Sequence, residues 1–261
     1  MTRPEVPARE GLELRKRYTP ADLGVFTPDE ARRYVSPGDG DPRTNVVLAW
    51  ELLYRLEPEL YDRLASVERL HPGVVGWLPR HVDRIAEVGA GTGRLTMELI
   101  GRARRVVAVE PAMPLRRILT RKLAGAEHGT RARVRHGFFD QLPLPDDSAD
   151  LVVACSAFTP AAGHGGETGL AEMERVCRPG GCVAVLWPNH LGWLVARGYR
   201  HVSFPGPMSA QFGSYAEAVE LAEVFFPRAA GEVRRLGQRM VPFEVLGINP
   251  PCDLAFKVLP R

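Results

Sequence analysis

The stretch RIAEVGAGTGRLT places three glycines, Gly89, Gly91 and Gly93, at every second position between a short apolar run and a helical pattern. Glycines let the backbone turn sharply and approach a ligand closely, and the N-terminus of the following helix favours an anionic group such as a carboxylate. A dinucleotide fingerprint would need another glycine where Arg94 stands, and a P-loop would need a Gly-Lys-Ser/Thr sequence. The pattern therefore predicts a ligand-binding loop and disfavours both of those ligand classes.

An acidic residue, Glu110, ends the next apolar run about twenty residues after the loop. A carboxylate at this place in a doubly wound fold accepts hydrogen bonds from both hydroxyls of a ribose. The loop and the carboxylate together predict a ligand that carries a ribose and lacks a pyrophosphate.

Apolar, β-branched runs alternate with helical patterns from Arg84 onward, and they span residues 84–88, 105–109, 132–134, 149–154 and 182–187. Near-continuous apolar strands separated by helices are typical of a parallel sheet that is covered on both faces. Further on, VRRLGQRMVPF and DLAFKVL predict two strands joined by a turn, which would form an antiparallel edge. The predicted fold is α/β: a doubly wound, Rossmann-like, mostly parallel seven-stranded sheet with an antiparallel edge strand and an N-terminal helical segment.

The domain limits follow from a composition shift near HPGVVGWLP. Residues 1–76 are expected to form a helical N-terminal segment or lid, and residues 77–261 the ligand-binding domain. Within that domain, residues 188–230 are rich in aromatic side chains and form an expected insertion on the substrate side. These aromatics would either line an acceptor pocket or cover the sheet, and periodicity does not distinguish the two.

Composition limits the classes of protein and partner. The 261 residues are 45% hydrophobic, but no apolar run is long enough to cross a bilayer and the N-terminus lacks a secretory signal, so a cytoplasmic protein without membrane contact is expected. The cysteines lack metal-ligand spacing, which predicts free thiols and no metal site; they are Cys155, Cys177, Cys182 and Cys252. The formal charge is +3, and its basic clusters, residues 102–105 and 131–135, are interpreted as solvated arginines rather than a nucleic-acid surface.

Four motifs in order resemble the class I S-adenosylmethionine-dependent methyltransferases of the small-molecule type. They are E-V-G-A-G-T-G, V-V-A-V-E-P, G-F-F-D-Q-L-P-L-P-D-D-S-A-D-L-V-V and L-A-E-M-E-R-V-C-R-P-G-G, and the resemblance covers residues 84–187. It implies S-adenosyl-L-methionine as cofactor and S-adenosyl-L-homocysteine as product. The implied cofactor residues are Glu87, Gly89, Ala90, Gly91, Gly93, Glu110, Pro111, Phe138, Phe139 and Asp140. Ser156, which follows the fourth apolar run, is a further candidate for contact with the cofactor or the acceptor.

The resemblance also implies individual roles. Gly89 and Gly91 would approach the methionine and ribose parts, and Glu87 would help to orient the amino-acid end. Glu110 would bind the ribose hydroxyls, and Pro111 would pack on the adenine.

The sequence departs from the family pattern after the third strand. Many relatives place an acidic residue directly after the glycine, whereas Gly137 is followed here by Phe138 and Phe139, with Asp140 displaced. Either Asp140 reaches the adenine amine by another route, or a phenylalanine packs on the ring and backbone groups contact its edge.

Candidate bases lie beyond the carboxyl ends of the strands, where doubly wound sheets bind ligands. His164 follows the fourth run and His190 the fifth, and a histidine in such a loop is able to accept a proton. The alternative for each is an ordinary surface histidine. The remaining histidines are interpreted as structural; they are His71, His81, His128, His136 and His201.

The resulting expectation is an enzyme that transfers a methyl group to a small organic molecule such as a specialised metabolite. Two alternatives stay open: a fold relative that binds S-adenosylmethionine while catalysing another reaction, and an RNA methyltransferase. Nucleic acid is disfavoured as a partner, and the sequence leaves open whether the protein forms a homodimer.

Overall fold

The computed structural model describes Leu14 and residues 17–35, 40–161 and 165–261. These residues form two compact units. The described parts of residues 1–69 and residues 207–250 form the first unit, and residues 70–206 and 251–261 form the second. The lid at 1–76 and the insertion at 188–230 stay predictions about function. No helix among the described residues is long and apolar enough to span a membrane.

The second unit contains a seven-stranded sheet in the order β3-β2-β1-β4-β5-β9-β6. The strands of the described residues are β1 (Val82–Val88), β2 (Ala103–Val109), β3 (Ala132–Arg135), β4 (Ala149–Cys155), β5 (Cys177–Leu186), β6 (Arg200–Ser203), β7 (Ser209–Gln211), β8 (Met240–Pro242) and β9 (Asp253–Val258). Strands β1 to β5 pair in parallel, whereas β9 is antiparallel to both of its neighbours, β5 and β6. The carboxyl ends of five strands therefore meet along one edge.

The predicted fold class is confirmed, including the mostly parallel seven-stranded sheet and its one antiparallel strand. That antiparallel strand, β9, lies one position inside the edge, because the short strand β6 pairs with its outer side. The segment VRRLGQRMVPF, expected to be a strand, instead contains most of a helix and the three-residue strand β8, which pairs with β7 in a separate sheet. Gly237, at a φ of +61°, ends that helix.

Helices cover both faces of the main sheet. The α-helices of the described residues are α1 (Pro28–Tyr34), α2 (Val46–Leu56), α3 (Pro58–Val67), α4 (Pro72–Trp77), α5 (Thr96–Leu99), α6 (Met113–Ala124), α7 (Gly166–Val176), α8 (Leu191–Val195), α9 (Tyr215–Phe225), α10 (Ala230–Leu236) and α11 (Phe243–Leu246). The first face, which contains Ile85 and Val106, packs against α4, α5 and α6. The second face, which contains Ala86 and Val152, packs against α7 and α8.

The first unit is a helical assembly that also holds the β7–β8 pair. The Trp50 ring of α2 stacks on the Phe225 ring of α9 with centroids 5.7 Å apart. Arg63 of α3 forms ion pairs with Glu217 at 2.9 Å and Glu220 at 2.6 Å, both on α9. Stacking and ion pairing thus join the N-terminal helices to a segment that lies about 150 residues later in the chain.

A buried cation organises the beginning of the first unit. Arg55 donates to Glu30 at 2.8 Å and to Glu51 at 2.5 Å, and its side chain is 3% exposed. Its guanidinium carbon also lies 4.8 Å from the centroid of the Phe26 ring and 5.3 Å from that of Tyr34. One guanidinium group therefore supplies the positive charge that pairs with both buried carboxylates.

We expect Arg55→Ala to lower the free energy of unfolding by about 3–5 kcal/mol, because it leaves two buried carboxylates without their cation. Urea denaturation followed by circular dichroism measures the change. The matched control is Arg32→Ala, which removes an exposed partner of Asp29 and should change stability by less than about 1 kcal/mol. Equal effects of the two substitutions would contradict the importance of the buried pair.

Candidate functional site

The glycine loop leaves β1 at the carboxyl edge of the sheet in a left-handed conformation. Gly89, Gly91 and Gly93 have φ values of +71°, +56° and +98°, which residues with a Cβ adopt only with strain. A Cβ on Gly89 would lie 2.8 Å from the Cβ of Ala157, and one on Gly93 would lie 2.5 Å from Cδ1 of Leu119. Both conformation and space therefore require glycine at Gly89 and Gly93.

Backbone hydrogen bonds tie this loop to the neighbouring strand β2. The amides of Gly89 and Ala90 both donate to the carbonyl oxygen of Val109, at 2.9 and 3.0 Å. Ala90 is 5% exposed, and its carbonyl oxygen accepts from Gly93 N at 2.9 Å. The loop is thus held over the exits of two adjacent parallel strands.

Glu110 follows β2 and is 5% exposed. Its Oε2 accepts from the amide of Gly91 at 2.9 Å, and its Oε1 accepts from the amide of Ala112 at 2.8 Å. One carboxylate thus joins the middle of the glycine loop to the start of α6. Because an ionised carboxylate offers about four acceptor positions, these two bonds are compatible with hydrogen bonds to a pair of ligand hydroxyls.

Arg116 fixes the backbone around this carboxylate, a role that the sequence did not reveal. Its Nη1 donates to the carbonyl oxygen of Glu110 at 2.7 Å and to that of Pro111 at 2.6 Å. Pro111 is half-buried next to Glu110. A helical arginine one turn beyond an acidic strand end is the signal that would have identified this contact.

Glu87 occupies the first face of the sheet beneath the loop and is 1% exposed. Its Oε2 accepts from the hydroxyl of Thr96, on α5, at 2.5 Å. Burial raises the pKa of Glu87 to about 8; the Thr96 bond opposes this shift, and the charge of Glu110 adds to it. This raised pKa favours the protonated form of Glu87 at neutral pH.

The loop after β3 contains the three residues expected near the adenine. Phe139 packs against the glycine loop: its Cζ would lie 2.9 Å from a Cβ on Gly89, and its ring meets Phe158 edge to face with centroids 5.2 Å apart. The half-buried Phe138 has its ring 5.2 Å from that of His136. Asp140 is also half-buried. Phe139 therefore has a packing role against the glycine loop.

Two residues with positive φ stand side by side at the exits of β4 and β5. Ser156 has a φ of +52° and Trp187 a φ of +48°, and they directly follow the paired residues Cys155 and Leu186. Strain of this kind concentrates at functional sites. Asn189 Nδ2 donates to the Ser156 carbonyl oxygen at 3.3 Å, which links the two exits.

Arg94 stands where a dinucleotide fingerprint would have its last glycine. Its guanidinium carbon lies 5.2 Å from the centroid of the Trp187 ring. A cation over an aromatic face is attracted by the ring quadrupole. Arg94 belongs to the β1 exit and Trp187 to the β5 exit, so this contact reaches across the ligand-binding edge. The sequence did not identify either residue; a tryptophan directly after the last parallel strand was the available signal.

Of the two candidate bases, only His190 lies among the described residues. His190 is half-buried and stands immediately before α8, without a side-chain bond to the helix end. His164 lies outside the described residues. The base therefore stays a prediction for both histidines.

Hydrogen bonds and close packing bring together the glycine loop, Glu110, Pro111 and Phe139, and Ser156 lies beside them next to Ala157. Glu87 lies beneath the same loop. The glycine loop allows close approach of a ligand to the backbone, and the buried Glu110 carboxylate is an acceptor suited to ribose hydroxyls.

Comparisons with known proteins agree with this geometry. Residues 85–181 match a family model described as "Methyltransferase domain". An uncharacterized methyltransferase of Mycobacterium tuberculosis is 32% identical over 130 residues, which cover 47% of this chain and 49% of that protein. The demethylmenaquinone methyltransferase of Deinococcus radiodurans is 34% identical over 188 residues, covering 68% of this chain and 69% of that protein. The chain thus spans about half the length of the mycobacterial relative.

Among solved structures, one chain from the complex of a Haloferax volcanii methyltransferase activator and a methyltransferase superposes with a TM-score of 0.50. It is 17% identical, and the match covers 80% of this chain and 96% of that chain. At this identity the similarity concerns the fold alone.

Glu87→Gln should remove a pH-dependent loss of stability. Between pH 4.5, its ordinary pKa, and about 8, folded Glu87 retains a proton that the unfolded chain has released. Stability should therefore fall as pH rises through this window, by up to about 1.4 kcal/mol per pH unit from this group. The neutral glutamine lacks that slope. Urea denaturation at several pH values should therefore show the free energy of unfolding of the variant rising relative to that of the wild type as the pH increases.

The matched control is Glu98→Gln on α5, where the carboxylate is exposed. Its stability should follow the wild-type pH dependence. A constant difference between Glu87→Gln and wild type across the window would show that buried Glu87 is ionised.

Proposed function

Because the chain belongs to the class I S-adenosylmethionine-dependent methyltransferases, we propose that it transfers a methyl group from S-adenosylmethionine to a small organic molecule. A specialised metabolite is the acceptor class that fits the proposal. The observation that carries it is the Glu110 carboxylate, which is bonded to the Gly91 amide at the carboxyl edge of the sheet.

The proposed cofactor site uses the residues around that carboxylate. S-adenosylmethionine supplies a methyl group on a positively charged sulfur. Glu110 accepts from the ribose hydroxyls, while Gly89 and Gly91, which lack side chains, let the ribose and amino-acid parts lie close to the backbone. Pro111 and Phe138 contact the adenine, with Asp140 or backbone groups at its edge.

In this proposal the Glu87 side chain is neutral before the cofactor binds, because its pKa is about 8. It orients the amino-acid end of the cofactor indirectly, through Thr96 and the glycine loop, and not by an ion pair. A nearby ammonium group favours the ionised form of a carboxyl. Cofactor binding should therefore be accompanied by partial proton release from Glu87.

The proposed acceptor site lies at the exits of β4 and β5, where Ser156 and Trp187 hold strained conformations. These residues position the acceptor in line with the methyl group, and the Trp187 ring excludes water from that side. His190, on the same side, receives the proton when the acceptor is a phenol or alcohol. His164 keeps the same proposed role.

A comparison supports the acceptor class. The Deinococcus radiodurans relative is named for methylating demethylmenaquinone, an organic molecule rather than a macromolecule. The proposal extends only the class of small organic acceptor to this chain.

Glu110→Ala should weaken S-adenosylmethionine binding by about 1–3 kcal/mol, since hydrogen bonds to a charged acceptor are lost. Isothermal titration calorimetry on ligand-free protein measures the affinity, and the melting temperature without ligand shows whether the variant is folded. Glu98→Ala, which removes an exposed carboxylate of α5, is the matched control and should bind like wild type. Unchanged affinity in a folded Glu110→Ala variant would place the ribose elsewhere.

Incubation with S-adenosylmethionine and a panel of phenols, alcohols, thiols and amines tests the reaction itself. A transferase adds one methyl group to an acceptor and releases S-adenosylhomocysteine in equal amount, which mass spectrometry detects on both sides. An acceptor rearranged without a gain in mass would instead support the non-methylating alternative. Methylated RNA, in a parallel reaction, would support the RNA methyltransferase alternative.

A further inference from the structure

Positive charge is concentrated in one part of the second unit. Residues 101–136 contain ten Lys and Arg but only two Glu, a formal charge of +8, whereas the whole chain carries +3. One of those acids, Glu110, is 5% exposed and bonded to backbone amides. The surface formed by β2, α6 and β3 is therefore much more basic than the rest of the chain.

The strand register places four arginines on one face of the sheet. Three of them lie within residues 101–136, and the fourth, Arg84, lies in β1. Arg84 of β1 is directly paired with Arg105 of β2. On β3, Arg133 is paired with Val107 and Arg135 with Val109. Because side chains alternate between the faces of a strand, Arg105 shares a face with Val107 and Val109, and hence with both β3 arginines.

We call the set Arg84, Arg105, Arg133 and Arg135 the arginine face. It belongs to the second face of the sheet, since Val109 packs in that core. All four residues are exposed. On this face α7 lies against β4 and β5, and α8 lies against β6 and β9, whereas the four arginines on β1, β2 and β3 are exposed.

The acidic groups beside this surface already have partners. Asp150 accepts from Arg178 at 2.5 Å and from the amide of Arg84 at 2.7 Å. Asp83 lies 3.4 Å from Arg84 and 3.8 Å from Arg104. Arg135 donates to the carbonyl oxygen of Pro143, which leaves its charge unneutralised. The face keeps an excess of positive charge.

Like charges on directly paired residues of neighbouring strands destabilise a sheet. Their Cα atoms are about 4.8 Å apart across such strands, so Arg84 and Arg105 repel each other. A polyanion is the partner that converts this repulsion into binding, because each guanidinium group forms two parallel hydrogen bonds with a phosphate.

An aromatic pair ends the arginine face on the β3 side. His136 follows Arg135 directly and is exposed, and its ring lies 5.2 Å from that of half-buried Phe138. Bases of single-stranded RNA stack on such side chains while arginines contact the phosphates. The exposed large apolar residues of the described chain include none from β1, β2 or β3, so this surface lacks the apolar anchor that a membrane would require.

We propose that the arginine face docks single-stranded RNA, with phosphates on the four arginines and a base on the exposed ring of His136. Docking at this face does not depend on methyl transfer to a small molecule. It differs from the expectation that the basic clusters are only solvated, because the strand register places Arg105 of the first cluster and Arg133 and Arg135 of the second on one face.

The test is fluorescence anisotropy with a short mixed-sequence RNA at several salt concentrations. The variant Arg105→Glu/Arg133→Glu should weaken binding by about tenfold or more at low salt and reduce the slope of log affinity against log salt by about 1.4, as expected for two lost phosphate contacts. The control Arg117→Glu/Arg121→Glu changes the net charge equally but lies on α6, which packs on the first face. It should stay within about threefold of wild type.

Arg105→Gln/Arg133→Gln separates binding from folding. It should weaken RNA binding while its melting temperature equals or exceeds that of wild type, because one like-charge pair is removed. Equal losses in the two glutamate variants, or no RNA binding by wild type at low salt, would overturn the proposal. Binding to anionic phospholipid vesicles that depends on Arg105 and Arg133, without RNA binding, would overturn it as well.

Discussion

The bond between Glu110 and the amide of Gly91 holds the ligand-binding edge together. A carboxylate at the end of β2 reaches the middle of a loop that leaves β1, and its second oxygen accepts from the first residues of α6. Two backbone amides thereby stabilise the carboxylate by hydrogen bonds and fix its position. Arg116 holds the same corner from the helix side. The position of every proposed cofactor contact depends on this corner.

Conformational strain marks the other half of the same edge. Glycine supplies the left-handed conformations of the loop at no steric penalty, but Ser156 and Trp187 adopt them with side chains present. Their strain is maintained because backbone amides at both positions are bonded to neighbouring strands, Ser156 N to Leu186 O and Trp187 N to Asp253 O. β9, the antiparallel strand, therefore contributes to the proposed acceptor side by anchoring Trp187.

Charge is treated differently in the interior and on the surface of the second unit. Glu87 is buried without a cation, and its raised pKa keeps it neutral. On the surface, arginines are placed opposite one another with few acids between them. Protonation of Glu87 avoids an unpaired negative charge in the interior, whereas the surface arginines keep an excess of positive charge. A surface with an excess of like charge attracts a partner of opposite charge.

The sequence alone determined the features that depend on neighbouring residues. Apolar runs located β1 to β5, and the spacing of Gly89, Gly91, Gly93 and Glu110 identified the loop and the carboxylate, because these patterns arise from local conformation and from one conserved geometry of strand, turn and helix. The family resemblance rested on the same local motifs, and the comparisons confirmed it.

Tertiary structure decided what depends on distant pairing. Residues that are far apart in the chain form the pairing of β6 with β9, the contact of Arg94 with Trp187, and the arginine face. The raised pKa of Glu87 likewise depends on its burial by distant residues. Burial and register create these features, and a one-dimensional pattern contains neither of them. Arg84 and Arg133 show the limit well: each is an ordinary charged residue in the sequence, and only the order of three strands gives them a common surface.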